Sequence, residues 1–387
     1  MTKKQKIVIG VILLLFAGGS VYLLTTRNKI RKNRVAQIKA KNIQSEEKNI
    51  STKTLNEKNV SPISGVACKN WDRRALAVMQ PADVTARPAA GFSEADMVIE
   101  MPVITSSVTR LMAIYLCNTP KEVGSMRSAR HDFIHLAKGL DAIFASWGRS
   151  ESHTGKDEVG LAKGILDRGE IDNINCNGDA GKSAYACSVN PCFRKSGMKR
   201  GVDSGYAHPQ EFWNCAKEFG YRMKSSFEGY PHQKELSIDQ RPKSGHLRVA
   251  FGGPFAVEYD YDRKTNSYLR TWGGKKDTDR NNNKRIAPKN IVVMFAKSEQ
   301  IEGQYNNVQL GDPWYDTSDT GEAYYYMNGK EYHGTWKKDK SNIASKLYFY
   351  DKNGEEIKFV PGQIWVEVLE PGQRLRWSES PLAKLTD

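Results

Sequence analysis

Asp96-Met97-Val98-Ile99-Glu100-Met101 sets two acidic residues in an apolar run, and its surroundings repeat the pattern. Upstream lies Arg87-Pro88-Ala89-Ala90-Gly91-Phe92-Ser93-Glu94-Ala95. Downstream, Val108 to Leu116 carries Arg110, and Gly124-Ser125-Met126-Arg127-Ser128-Ala129-Arg130 leads into a helical stretch ending at Gly139. Asp141-Ala142-Ile143-Phe144-Ala145 follows. Burying a charge is costly unless it is paired, so these groups require partners or a purpose. If 96–101 is extended, the two-residue period puts Met97, Ile99 and Met101 on one face and Asp96, Val98 and Glu100 on the other. Glu100 then points away from the more apolar face, either into a cleft or onto an arginine as half of a structural ion pair.

Working outward, Leu76 to Met79, Asp96 to Met101, Thr109 to Leu116 and Asp141 to Trp147 read as strands by their apolar and β-branched content. Ser125 or Ser128 is a candidate cap for a helix over Ala129 to Lys138. Arg127 and Arg130 stand three apart at its start. Two guanidinium forks beside a helix amino terminus can grip a carboxylate or phosphate; their plainer role is to neutralise Glu100 and Asp96. The strand at 141–147 ends in Gly148-Arg149-Ser150-Glu151-Ser152-His153, a polar turn where a strand end presents ligands, His153 among them. A short helix is expected within Gly155 to Gly169. Pro209 suits a first helical turn and opens a helix to about Phe219. His208, just before it, is a proton carrier, a ligand or a structural hydrogen-bonder.

Past a polar linker at 226–245, short aromatic-rich segments bounded by turns read as strands. They run from Leu247–Phe251, through Ser267–Trp272 and Lys330–Trp336, to Gln363–Val368. Asn328-Gly329 and Asn353-Gly354 are hairpin signals, because Asn and Gly tolerate positive φ. Tyr324-Tyr325-Tyr326 and Trp336 form either a carbohydrate-stacking platform or cross-strand packing. The expected fold class is α+β: an amino-terminal α/β domain over 67–225, the linker, a β-rich domain over 246–375 and a tail at 376–387.

The chain of 387 residues has a formal net charge of +14. Residues 1–60 hold thirteen Lys/Arg and three Glu, a net of +10, which leaves only +4 for the rest. That distribution argues against a nucleic-acid-binding body, whose basic patch should lie on the fold. Ile7 to Leu24 runs eighteen residues without a charge, long enough for one transmembrane helix. An uncleaved anchor over 1–26 and a cleaved signal ending near Ala17-Gly18-Gly19-Ser20 are the two readings. A solvated spacer at 27–66 follows. The positive-inside rule read literally puts the body in the cytoplasm, because Arg27, Lys29, Arg31, Lys32 and Arg34 follow the span. The basic amino terminus before a single apolar run, together with six cysteines, argues for a single-pass protein with an extracytoplasmic body. Cys176, Cys187 and Cys192 lack the spacing of common zinc modules, so a disulfide in a long loop is expected rather than a metal.

At this point the chain resembles the YerB-like family of bacterial envelope lipoproteins, a family of largely unassigned function. The resemblance rests on Arg87-Pro88, Gly91, Ser93-Glu94-Ala95-Asp96, Glu100, Thr109-Arg110, Arg127-Ser128-Ala129-Arg130, Asp141-Ala142 and Gly148. In the second half it rests on Tyr261-Asp262, Asn266, Tyr268, Arg270, Gly334-Thr335-Trp336, Pro361-Gly362-Gln363 and Trp365. It implies an α/β domain followed by a β-rich domain, both outside the cytoplasmic membrane. The chain departs from the family in having a plain apolar span with no lipid-anchoring Cys after it, and Ser106-Ser107 where a Gly-Gly turn is usual.

Three functions follow as expectations. The first is a membrane-anchored envelope protein binding an anionic wall component, whether glycan, stem peptide or phosphate polymer, through Arg110, Arg127 and Arg130. The second is a wall-glycan-cleaving enzyme with Glu100 as general acid and Asp96 or Asp141 as the second carboxylate. The third is a scaffold docking another envelope protein. No Ser-His-Asp order, phosphate-cradling Gly loop or metal signature stands out, so no cofactor is implied.

Overall fold

The computed structural model describes residues 59–151, 161–298, 319–339 and 341–379, with the backbone at 299–300 and 307–308. The expected span Ile7–Leu24, most of the spacer and His153 fall outside the described residues. Among the described residues no helix is long and apolar enough to cross a membrane.

The body is mostly β. In chain order its strands begin with β1 (Leu76–Pro81), β2 (Met97–Pro102), β3 (Thr109–Tyr115), β4 (Val123–Gly124), β5 (Ile143–Ser146), β6 (Asn173–Asn175), β7 (Cys192–Arg194) and β8 (Gly205–Ala207). The second half adds β9 (His246–Val249), β10 (Val257–Asp262), β11 (Ser267–Trp272), β12 (Lys275–Lys276), β13 (Asn290–Phe295), β14 (Glu299–Gln300) and β15 (Asn307–Val308). It ends with β16 (Thr320–Met327), β17 (Lys330–Lys337), β18 (Tyr348–Asp351), β19 (Ile364–Leu369) and β20 (Leu375–Ser378). Among the described residues three α-helices interrupt them, at His131–Gly139, Ala162–Asp167 and Pro209–Glu218.

One ten-stranded sheet spans the body in the order β18-β17-β16-β13-β19-β2-β3-β1-β5-β6. Strands from both halves of the chain meet where β19 pairs in parallel with β2. The two-residue period holds at β2: Met97, Ile99 and Met101 pack into one core with Phe133, Ile134, Leu136 and Ala137 of the first helix. Val98 faces the other core, which a second, five-stranded sheet (β12-β11-β10-β9-β20) and the helix Pro209–Glu218 cover with Leu247, Tyr259, Tyr268, Trp272 and Phe212. The large sheet is therefore buried on both faces, and such strands read as near-continuous apolar runs.

Local chemistry accounts for several boundaries. Asn328 and Gly329 adopt φ of 55° and 72° and join β16 to β17 as a tight hairpin. The first helix begins two residues later than the expected Ala129, with Arg130 as its N-cap, because Arg127 to Ala129 stay extended and bond to the exit of β5. The segment 226–245 is not a free connection. Tyr230 is buried, its N–H donates to Pro62 O at 2.8 Å and its hydroxyl to Leu347 O at 3.1 Å. Likewise the body starts at Asn59 rather than 67, because Asp96 accepts from Ser61 Oγ (3.0 Å) and Ser64 Oγ (2.6 Å). The stacking platform is overturned: Tyr325, Tyr326 and Trp336 are buried, and their aromatic surface packs across strands.

All six cysteines form disulfides: Cys68–Cys117, Cys176–Cys192 and Cys187–Cys215. Cys68–Cys117 closes 49 residues, and chain entropy assigns such a loop about 4 kcal/mol. Protein extracted from cells with thiols blocked should therefore show six thiols only after reduction, by mass shift. Cys68→Ser with Cys117→Ser should lower the urea midpoint accordingly.

Candidate functional site

β19 and β13 run parallel to β2, β5 and β6 run parallel to β1, and β1 and β2 both oppose β3. Six strands thus end at one edge, and in sheets of this kind ligands bind outside the carboxyl ends. Two segments meet there. Arg127 N–H donates to Met79 O (2.9 Å), Trp147 N–H to Arg127 O (2.9 Å), Ala129 N–H to Gly148 O (2.9 Å) and Ser150 N–H to Ala129 O (3.1 Å). Gly148 permits this closeness: its φ is +87°, and a Cβ would meet Ser128 Oγ at 3.0 Å.

This pairing gathers arginines. Arg110 and Arg130 donate to consecutive carbonyls, Ser128 O at 3.0 Å and Ala129 O at 2.6 Å. Arg149 is bridged to Ala129 through the backbone, and its side chain pairs with Glu151 (2.7 Å) and Asp179 (3.0 Å). Arg127 bonds Asp203, Val202 O and Asp83, which ties the edge to the hairpin of β7 and β8. That hairpin holds Arg194, Lys199 and Arg200, all exposed, with Arg194 stacked 4.2 Å from the Trp147 ring. Sequence reasoning found Arg110, Arg127 and Arg130, and flagged the turn that holds Arg149. It missed the hairpin, whose basic run between Cys192 and Gly205 is the signal that marks it.

The three expected acids do not share a site. Asp96 is buried, its carboxylate taken by Ser61, Ser64 and the N–H groups of Leu116 (2.8 Å) and Cys117 (2.9 Å). Asp141 stands before β5, at the opposite edge of the sheet, bonded by Arg222 Nη2 at 2.5 Å. Glu100 is 0 % exposed, with one oxygen on Thr109 Oγ1 and the other on Arg270 Nη2, each at 2.5 Å. No polymer bond can reach it, and the general-acid role fails on access. His208 stacks on Phe193 at 4.6 Å and bonds Lys121 O at 3.2 Å, a structural role.

Glu100 belongs instead to a buried ion cluster. Tyr268, Arg270 and Trp272 all point inward from β11, so an arginine occupies a core position. Arg270 bonds Glu100 and Asp277 (2.6 Å), donates to Tyr259 Oη at 3.1 Å and lies 3.9 Å from Glu367. The rings of Trp365 and Trp272 lie 4.3 and 4.6 Å from its guanidinium carbon. Three carboxyl groups exceed the charge of one guanidinium. Burial first, then the charge of Glu100, pushes the Glu367 carboxyl up to about 8.

The arrangement defines a two-domain class of protein with no assigned reaction. Residues 63–222 match the "Protein of unknown function (DUF3048) N-terminal domain" and residues 247–366 its C-terminal domain, and the chain belongs to this family. The "Putative lipoprotein YerB" of Bacillus subtilis (strain 168) is 28% identical over 316 residues, which is 80% of this chain and 86% of that protein. The crystal structure of YerB protein from Bacillus subtilis matches with a TM-score of 0.67 at 26% identity, over 83% of this chain and 100% of that one.

The cluster generates two expectations. Between the ordinary value of 4.5 and about 8, folded Glu367 keeps a proton that the unfolded chain has lost. Stability from this group therefore falls as pH rises through that window. Melting temperatures at pH 5.5 and 8.5 should differ less in Glu367→Gln than in the parent. Separately, Arg270→Ala leaves buried carboxylates uncompensated and should cost about 3–5 kcal/mol in urea unfolding.

Proposed function

We propose that the protein works outside the cytoplasmic membrane, held there by an amino-terminal anchor, and that its arginine edge binds an anionic polymer of the cell wall. Placement outside the cytoplasm rests on the three disulfides, which persist in oxidising compartments. The uncharged run Ile7–Leu24 and the relative described as a lipoprotein agree with it.

The observation that carries the binding reading is the exposed run Arg194, Lys199 and Arg200 on the β7–β8 hairpin, set beside Arg149 and backed by the buried Arg110 and Arg130, which donate to Ser128 O and Ala129 O. Guanidinium forks match phosphate and carboxylate in geometry as well as charge. The exposed Arg194, Lys199 and Arg200 extend the positive field outward from this edge. Such a field attracts a polyanion over roughly a Debye length, about 8 Å at physiological salt. Binding of this kind needs neither a nucleophile nor a proton carrier.

The test is cosedimentation of the detergent-solubilised full chain with purified walls, either intact or stripped of their phosphate polymer. Binding to intact walls should weaken on the order of tenfold between 50 and 500 mM NaCl as the charges are screened. It should fall similarly in the exposed triple variant Arg194→Glu, Lys199→Glu, Arg200→Glu. Binding indifferent to both salt and the triple variant sinks the reading.

A further inference from the structure

The opposite edge of the sheet holds a cavity of about 660 Å³, within the range of roughly 300–1,000 Å³ for small-molecule sites. It lies where β1, β5 and β6 begin, and its walls come from both halves of the chain. One wall carries Arg74, Asp141, Asp172 and Arg222; the facing segment brings Lys346 and Tyr348, with Glu228.

The charges on these walls are of both signs, and part of each wall is fixed. Arg74 is buried and donates to Asp141 O (2.8 Å), Ala142 O (3.1 Å) and the Asp172 carboxylate. Asp141 holds a φ of 53° and accepts from Ser226 N–H (2.7 Å) and Ser226 Oγ (3.0 Å) as well as Arg222. Lys346 is buried between Glu356 (2.6 Å) and Glu228 (3.1 Å), and its ammonium lies 4.6 Å from the Tyr348 ring. Around this frame four charged groups remain open to solvent: the side chains of Asp172, Glu228 and Arg222 are 36%, 51% and 49% exposed, and Asp339 is exposed on the facing segment.

A polyanion entering here meets Asp141, Asp172 and Glu228, and a polycation meets Arg74, Arg222 and Lys346. A ligand carrying one charge of each sign satisfies both sets. We infer that this cavity binds a short zwitterionic peptide, its ammonium on Asp172 and Glu228 and its carboxylate on Arg222, with Tyr348 against its body. This site is separate from the arginine edge and stands on its own observations.

The probe is alanyl-alanyl-alanine with free termini, titrated calorimetrically into the full chain in detergent. Its N-acetylated, C-amidated form is the control. Saturable binding of the free peptide is expected, with at least tenfold weaker binding of the capped form. Arg222→Gln and Asp172→Asn should each weaken it about tenfold while the melting temperature stays within two degrees. The triple variant of the basic hairpin should leave it unchanged, which separates this site from wall binding. Equal affinity for free and capped peptide, or no saturable binding by a folded protein, overturns the inference. If Arg222→Gln unfolds the chain, Asp172→Asn with Glu228→Gln decides it by the same readout.

Discussion

Glu100 and Glu367 stand side by side in register on adjacent parallel strands, and two buried carboxylates so placed repel one another unless a cation intervenes. Arg270 is that cation, delivered from the second sheet across the core. Its position fixes more than charge. The parallel pairing of β2 with β19 is the seam between the two halves of the chain, and Arg270 bonds to the last pair of that seam. The five-stranded sheet is thereby locked onto the ten-stranded one by hydrogen bonds as well as by apolar area. A buried ion cluster is weak evidence for stability, but it is directional, and here it specifies which face of β11 meets which strands.

With the sheet's polarity set, its two edges acquire different chemistry. The strands of one direction end among arginines, and three of them, β1, β5 and β6, begin beside a cavity of mixed charge. The central acids belong to neither edge. Thr109 and Arg110 show how finely the roles divide. They are neighbours on β3, yet Thr109 turns into the core to bond Glu100 while Arg110 reaches the Ser128 carbonyl at the edge.

The strands were largely legible, because β-branched and apolar runs at period two mark them whatever their partners. Ser267 to Trp272 is read with the same limits that β11 has, and Asn328-Gly329 announces its hairpin. Pairing was not legible. Glu100 and Arg270 are 170 residues apart, and nothing local to either records the other. The same holds for the cysteines, whose partners are set by loops brought together only in the fold. The linker looked free because it is polar, yet its one large buried side chain, Tyr230, fastens it to Pro62 and Leu347. Aromatic content misled at Tyr325 and Trp336, since a stacking surface and a cross-strand contact draw on the same residues. At the arginine edge, a charge inside an apolar run singled out Arg110 and spacing at a helix start singled out Arg127 and Arg130, but nothing local to them points to the hairpin beside them.

Ser61 and Ser64 close on Asp96 just before β2 begins, and Gly362 donates to Ser64 O just before β19. The polypeptide therefore enters its folded body at the edge from which the parallel strands set out. The arginines stand at the far rim, a strand's length of roughly 20 Å away. Chain entry and the basic rim are thereby kept apart by the full length of the parallel strands, so a substitution at either one leaves the packing of the other untouched.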